Sequence, residues 1–310
     1  MKWLSNYEKE LDLAFSEAES ILFQLPVPFS KQAVDYLDRF HALKEHRSKN
    51  YICYLLPFWL QSYAGIDRET CRRIAVANLF KMMYFHLVDA CMDDPDTDVS
   101  QQLTLAEFIH IEFISAYQEC LKDRAPFWVY YKKYVSEWAA AVSTEKVADF
   151  YYENPVRLGH KAAPVKLSVA ASMILGGREQ EIDMFESAVD TALVTLQLLD
   201  DWEDWEKDLD QGSYNSLVSV VQAQLNLPSG TRPSPEEIRD GMMVHDALSE
   251  LSALANRNHE SLEAIKNLAP DLYHFHYDLV RNLNEGAQEV INNRRMLLNG
   301  GLGYWLAKNI

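Results

Sequence analysis

Apolar residues recur at the three- and four-residue spacing of an α-helix along almost the whole chain, while the alternation of a half-buried strand is almost absent. Tyr7, Leu11, Ala14, Phe15, Ala18, Leu22 and Leu25 form one such stripe, closed by Pro26 and Pro28. A chain patterned this way buries its apolar faces only by packing helix on helix. Ser5 with Glu8, Thr104 with Glu107, and Ser234 with Glu237 and Pro235 read as capped helix starts, and Ser30 and Asp67 open two more. The expected helices run from Ser30 to about Lys44, from Tyr51 to about Tyr63, and from Asp67 to Asp94, where Pro95 stops the chain. Pro95–Leu103 reads as a polar, mobile loop. Helices to Leu121 and over Phe127–Tyr152 follow, and Pro155 and Gly159 break the chain before a helix over Lys161–Leu175, ended by Gly176-Gly177. Beyond these lie a helix from Glu179 to Asp208, one over Leu217–Leu225, and the breaker cluster Pro228–Pro235, readable as linker or flap. Two further helices to Arg295 and a short tail, Leu297–Ile310, complete the chain. No repeat or composition break marks a boundary, so the expectation is one all-α domain over residues 1–310, of about ten helices.

With 310 residues, 48% of them hydrophobic, the chain can bury a large core. Its formal net charge of −17, with no offsetting basic tract, argues against nucleic acid or an anionic membrane surface as partner. An acidic protein that holds a polyanion needs metal ions or a local basic cluster. Cys53, Cys71, Cys91 and Cys120 lack metal-ligand spacing and suit buried thiols in a reducing compartment. Met1-Lys2-Trp3 leads into an amphipathic pattern rather than a secretory leader, and no apolar run reads as a membrane span; a soluble, cytoplasmic protein is expected.

The chemistry concentrates in Leu196–Asp208. In a helix, Asp200, Asp204 and Asp208 stand one turn apart on one face, with Asp201 one residue round. Carboxylates stacked this closely repel unless a cation lies between them, and hard oxygen donors suit Mg2+, which completes its octahedron with water and phosphate oxygens. A solvated acidic face is the simpler account of a charge run, but Leu193, Leu196, Leu198 and Leu199 lead straight into these acids and imply a buried helix beneath them. A second helix repeats the design: after the apolar run Met82–Phe85, Asp89 and Asp93 are again one turn apart, although Asp93, Asp94, Asp96 and Asp98 also fit a solvated helix end. Two such helices facing across the mouth of a bundle would hold several Mg2+ ions bridging a diphosphate.

Gln197-x-x-Asp200-Asp201-x-x-Asp204 resembles the second aspartate-rich motif of the trans-isoprenyl diphosphate synthases, and Asp89-x-x-x-Asp93 is similar to the first. Lys161-Ala162-Ala163 resembles that family's lysine-bearing diphosphate helix, and His46-Arg47-Ser48-Lys49 its basic segment. The resemblance spans about residues 44 to 217 and implies an isoprenoid-synthase-type bundle with a central cavity. It implies Asp89, Asp93, Asp200, Asp201, Asp204 and Asp208 as ligands to Mg2+, three ions with bound diphosphate. Lys161 and Arg157 become diphosphate-stabilising catalytic residues, and Arg47, Lys49, Tyr84, Phe85, Gln197 and Trp202 substrate-binding residues. Two departures stand out. Ala90 replaces an aspartate of the first motif, and Ser100–Leu103 lacks the arginine pair that helps to hold a second diphosphate.

These departures make a class I terpene synthase, a cyclase ionising one prenyl diphosphate with loss of diphosphate, the expected function. Prenyl transfer to isopentenyl diphosphate is the alternative, kept open by Arg47 and Lys49; a non-catalytic partner subunit, suggested by Ala90, is a third, and a homodimer is compatible with each. Any carbocation formed must be shielded by aromatic walls, for which Tyr84, Phe85, Phe113, Tyr152, Trp202 and Trp205 are candidates. Phe85, one turn below Asp89, would floor the pocket and limit prenyl length. A di-iron bundle is set aside because Glu107/His110 is the sole Glu-x-x-His pair, and a phosphohydrolase site at His245-Asp246 because no histidine lies between His160 and His245.

Overall fold

In the computed structural model every regular element is helical, with no strand among the described residues. These are residues 1–93, 98–122, 124–145, 148–228 and 230–309, with the side chains of 93, 299 and 301–309 outside the description. The first helices are α1 (Lys2–Ser5), α2 (Glu8–Leu22), α3 (Phe29–Asp38), α4 (Tyr51–Ala64), α5 (Arg68–Asp93), α6 (Val99–Leu121) and α7 (Ala125–Thr144). Next come α8 (Phe150–Glu153), α9 (Val156–His160), α10 (Leu167–Leu175), α11 (Ile182–Glu203) and α12 (Trp205–Gln211). The last four are α13 (Ser216–Gln224), α14 (Pro235–Val244), α15 (Ala247–Ser261) and α16 (Pro270–Asn309).

Some local signals hold and others yield to packing. The Thr70 N–H donates to Asp67 Oδ1 at 2.7 Å, so Asp67 caps α5, and Ser234 with Glu237 closes the reciprocal capping box of α14. Ser5 does not cap α2: it ends α1, whose Trp3 is buried and accepts at its carbonyl from Trp59 Nε1 at 2.9 Å. Burial of that ring fixes the first turn ahead of the local signal. α3 starts at Phe29, not beyond Ser30, with Phe29 against Phe108 at 4.8 Å, and it ends at Asp38 rather than Lys44. The expected loop to Leu103 is helical from Val99, because Asp98 accepts from the Gln101 N–H at 3.1 Å. Thr104 is therefore interior and returns its hydroxyl to the Ser100 carbonyl at 2.6 Å.

Pro164 tightens the expected Lys161–Leu175 helix into a 3-10 turn over Ala163–Lys166 before α10 begins. Three helices, not two, follow Ser234, and the backbone stays helical through Asn309 where a short tail was expected. With sixteen α-helices among the described residues, the expected ten undercount because several long patterns break into short pieces.

The chain divides into two compact units. One comprises residues 1–135, 164–187 and 265–272, and is built around α5, which packs against α2, α4, α6 and α10. Ile74 to Met83 of α5 are all buried, a helix enclosed on every side as befits the centre of a bundle, with Asn78 and Lys81 as its polar members. Arg68–Met92 thus has the length and composition of a membrane span, against the expectation of none, yet 67% of the qualifying window is buried in protein. The other unit comprises residues 136–163, 188–264 and 273–310, with α13 packed against α8, α12, α14 and α15. It carries α9 and the acidic end of α11.

Candidate functional site

The acidic stretch does not form one unbroken helix to Asp208. α11 ends at Glu203, Asp204 adopts φ −105° and ψ 9°, and α12 resumes at Trp205. The turn spacing survives the break, since the Asp204 N–H donates to the Asp200 carbonyl at 2.8 Å and the Asp208 N–H to the Asp204 carbonyl at 3.0 Å. Asn215 stabilises the break from outside. Its Nδ2 donates to the Asp201 carbonyl at 2.7 Å and to Asp208 Oδ2 at 2.8 Å, while its Oδ1 caps α13 by accepting from the Leu217 and Val218 N–H groups at 2.9 and 3.2 Å.

The four acids therefore have different surroundings. Asp201 is buried, and both its oxygens accept from protein: Oδ1 from Gln197 Nε2 and Oδ2 from the Ser216 N–H, each at 2.8 Å. Asp200 and Asp204 are exposed, and Asp208 is half-buried with one oxygen on Asn215. Gln197, expected on substrate, is engaged with Asp201. Trp202 packs closely on α16: a Cβ placed on Gly286 would stand 2.0 Å from its ring, so the two helices meet where only glycine fits. Trp205 is buried with the Arg239 guanidinium 5.5 Å from its ring centroid, and Tyr152 is exposed.

Lys161 and Arg157 belong to the same unit and lie one turn apart. α9 approaches α11 closely at Gly159, where a Cβ would meet the Asp190 carbonyl oxygen at 3.0 Å and the Val194 nitrogen at 3.1 Å. The Lys161 ammonium pairs with Glu145. Arg157 donates to the Thr144 hydroxyl and to the Ala140 carbonyl at 3.3 Å, with its guanidinium 4.6 Å from the centre of the Phe150 ring. Asp149 secures this segment, accepting from Tyr214 Oη at 2.9 Å and from Ser219 Oγ at 2.6 Å.

The electrostatics follow from one ammonium set among several carboxylates. Asp200 retains access to water but is surrounded by enough protein that its carboxyl is pushed up to about 7, first by lost hydration and then by Asp201, Glu203 and Asp204, with Lys161 opposing. Burial also raises Asp201, against Lys161, Ser216 and Gln197, and raises Asp208 against Asn215 and Lys161. Burial alone would lower Lys161, but Glu145, Asp201 and Asp208 outweigh it and its pKa is raised. Too much negative charge for the cations at hand is the condition a bound divalent ion relieves. Among the described residues no three His, Cys, Asp or Glu side chains converge into a complete cage. Asp200 and Asp204 remain accessible to solvent, and one or two such carboxylates are what an ion such as Mg2+ takes, drawing its remaining ligands from water and phosphate.

The candidates of the other unit range from buried Phe85 to exposed Arg47 and Lys49. Asp89 is half-buried near the end of α5; the Asp93 side chain and residues 94–97 lie outside the described residues. Tyr84 stacks on His110 at 4.5 Å and on Phe113 at 6.4 Å, with Phe85 edge-on at 5.1 Å; Phe85 and Phe113 are buried. The basic segment is already engaged. Arg47 pairs with Asp38 at 2.6 Å, as Lys44 does at 2.5 Å, and Lys49 donates to the carbonyls of His41 at 3.0 Å, Ala42 at 2.9 Å and Lys44.

Two residues that shape the site, Asn215 and Glu145, were not anticipated from sequence. Asn215 directly before an apolar helical run is a cap signal that could have found it; Glu145 carries no such mark. No protein-family model matches the chain, and no curated protein does. Solved structures do. Farnesyl pyrophosphate synthase of T. brucei, 13% identical, matches with a TM-score of 0.62 over 89% of this chain and 99% of its own. Its complex with 2-(5-chlorobenzo[b]thiophen-3-yl)acetic acid matches over the same shares at 12% identity and a TM-score of 0.62. The T. brucei farnesyl diphosphate synthase complexed with bisphosphonate BPH-722 gives 13% identity and a TM-score of 0.59 over 88% of this chain and 97% of its own. At such identities the likeness is one of architecture: the chain has the all-α fold of the isoprenoid diphosphate synthases.

Proposed function

We propose that the chain is a prenyltransferase that ionises an allylic prenyl diphosphate, with Mg2+, and joins the prenyl group to isopentenyl diphosphate. The observation that carries this reading is the acidic array at the end of α11, with Asp200 raised to about 7 and Lys161 as the nearby ammonium, on a fold shared with farnesyl diphosphate synthase over nearly the full length of both chains. A bisphosphonate, the ligand named for one of those structures, is a diphosphate analogue. Bound metal would supply charge neutralisation at the departing diphosphate. Asp200 and Asp204, with Asp208 after them, are the proposed ligands; Asp89 and Asp93 stand as further proposed ligands on the likeness of their motif alone. Asp201 keeps the acidic turn in place through Gln197 and Ser216. Lys161 and Arg157 would contact the diphosphate, stabilising the leaving group more as its charge develops than in the ground state. Tyr84 and Phe85 are the proposed apolar contacts to the prenyl chain.

One observation favours a second reading, a terpene synthase acting on a single diphosphate. Arg47 and Lys49, the cations proposed for a second substrate, are already engaged by Asp38 and by three backbone carbonyls. Incubation with Mg2+ and each allylic diphosphate, with and without isopentenyl diphosphate, separates the readings. Longer diphosphates formed only with both substrates support transfer; hydrocarbons from one substrate support the cyclase. Turnover that appears only with a homologous subunit supports a non-catalytic partner. We further propose that residues 1–310 act as one functional domain, since each unit is assembled from non-contiguous segments. A cytoplasmic homodimer without nucleic-acid partners completes the reading; four free thiols suit that compartment.

A further inference from the structure

The two cations proposed for diphosphate are held by the same short piece of chain. Arg157 bonds to Ala140 and Thr144 in the last turn of α7, and Lys161 to Glu145 immediately after it. The Lys161–Glu145 pair is well shielded, with side-chain exposures of 20% and 17%. A surface ion pair of long side chains has little thermodynamic weight, but shielding from water strengthens both the attraction within such a pair and the repulsion of a third charge. Asp201 and Asp208 already act on the same ammonium. A diphosphate reaching Lys161 would therefore find its charge spoken for and a further carboxylate beside it.

We propose that Glu145 is a positioning residue: it holds Lys161 in place and competes with diphosphate for it, so that diphosphate binds only by loosening the Glu145 contact. This inference rests on the diphosphate reading above. Thr144 and Ala140 do the same for Arg157 with neutral oxygens, which leaves Glu145 as the anionic member of the clasp. Its carboxylate, not its bulk, sets the strength of the competition. Neutralising it should favour an incoming anion; a brace that merely supported Lys161 would behave in the opposite way, because its loss would free the lysine to wander.

The test is calorimetric titration of inorganic diphosphate with Mg2+ into the full chain. Glu145→Gln keeps the shape and removes the charge, and it should tighten binding about 3- to 10-fold. Glu145→Asp, which draws the carboxylate back by one methylene, should fall between wild type and the glutamine variant. In a Lys161→Met background the Glu145→Gln gain should disappear. Unchanged or weaker binding by Glu145→Gln overturns the inference, as does a gain that persists without Lys161, which would mark a general charge effect. If the glutamine variant does not fold, Glu145→Asp decides by the same criterion. Wild type that fails to bind diphosphate at all removes the functional reading itself, and the competition with it.

Discussion

Lys81 is a group that the core around α5 has little reason to tolerate. It lies in α5, 1% exposed, between Phe80 and Met82. Its ammonium donates to Asn78 Oδ1 at 2.7 Å, an oxygen that also accepts from Tyr117 Oη at 2.5 Å, while Asn78 Nδ2 donates to Ser168 Oγ at 2.7 Å. Among the described residues the titratable group acting on it is the Cys53 thiol, with no carboxylate beside it. Burial lowers the lysine from 10.5 to about 8. That gap corresponds to roughly 3 kcal/mol by which folding disfavours the charged form relative to the neutral one. Lys81→Met keeps the length and removes the charge, and Asn78 Oδ1 retains its Tyr117 donor. Allowing about 1 kcal/mol for the lost hydrogen bond, the methionine variant should be more stable at pH 7 by roughly 1–3 kcal/mol, seen as a melting temperature about 2–6 °C higher.

The pH dependence identifies the cause. A lysine lowered on folding binds its proton less tightly in the folded state, so between about 8 and 10.5 the unfolded chain carries more protons and wild type gains stability as pH rises. The advantage of Lys81→Met should therefore shrink through that window, after a plateau below pH 8. Thermal unfolding of both proteins at pH 7, 8.5 and 10 measures it. A methionine variant less stable than wild type at pH 7, or a difference that ignores pH, would show that the buried ammonium is compensated and the reasoning wrong.

Asp200→Asn should weaken Mn2+ binding, followed by electron paramagnetic resonance, about tenfold or more without lowering the melting temperature, because the neutral amide removes a charge that the folded state disfavours, whereas Asp201→Asn should lower stability by about 1–3 kcal/mol, because its amide NH2 would face a donor. Wild-type affinity for Mn2+ should rise with pH and level off above about 7, as Asp200 sheds its proton. Metal-free stability should fall over the approach to that value, because the folded carboxyl holds its proton more tightly than the unfolded one. Gly159→Ala places a methyl group against backbone of α11 and should cost about 1–3 kcal/mol on thermal unfolding. Phe85→Ala should cost about 3–5 kcal/mol and admit longer prenyl chains; an unchanged product profile would remove Phe85 as a length determinant.

Where a helix start depended on its own residues, the sequence was readable: Asp67 and Ser234 cap as expected. Ser5, Ser30 and Thr104 carry comparable local signals and fail because something outside the window acts first. Trp3 is buried against Trp59, Phe29 packs on Phe108, and Asp98 starts α6 early. The acidic turn was legible for a similar reason, since its spacing is local. Its break at Asp204 was not, because Asn215 grips the Asp201 carbonyl from fourteen residues away. The engagement of Lys161, Arg157, Arg47 and Lys49 was equally hidden: each is held by a partner that side-chain chemistry permits but spacing does not specify.

The different surroundings of Asp200 and Asp201 follow from helix geometry once one contact is known. Successive residues turn by about 100°, so when Asp201 faces the start of α13 its neighbour must face elsewhere. Gln197, one turn before Asp201, falls on the buried side and bonds to it; Asp204, one turn after Asp200, falls on the exposed side. Asp208 is seven residues from Asp201 and four from Asp204, which places it between the two and explains why it gives one oxygen to Asn215 while remaining half-buried. The motif is thus two interleaved stripes. One, Gln197 and Asp201, fixes the turn; the other, Asp200 and Asp204, leaves carboxylates accessible to a cation. Charge repulsion within the accessible stripe is tolerable because the buried stripe holds the backbone, through Ser216 and Asn215, against the spreading that such repulsion would otherwise cause.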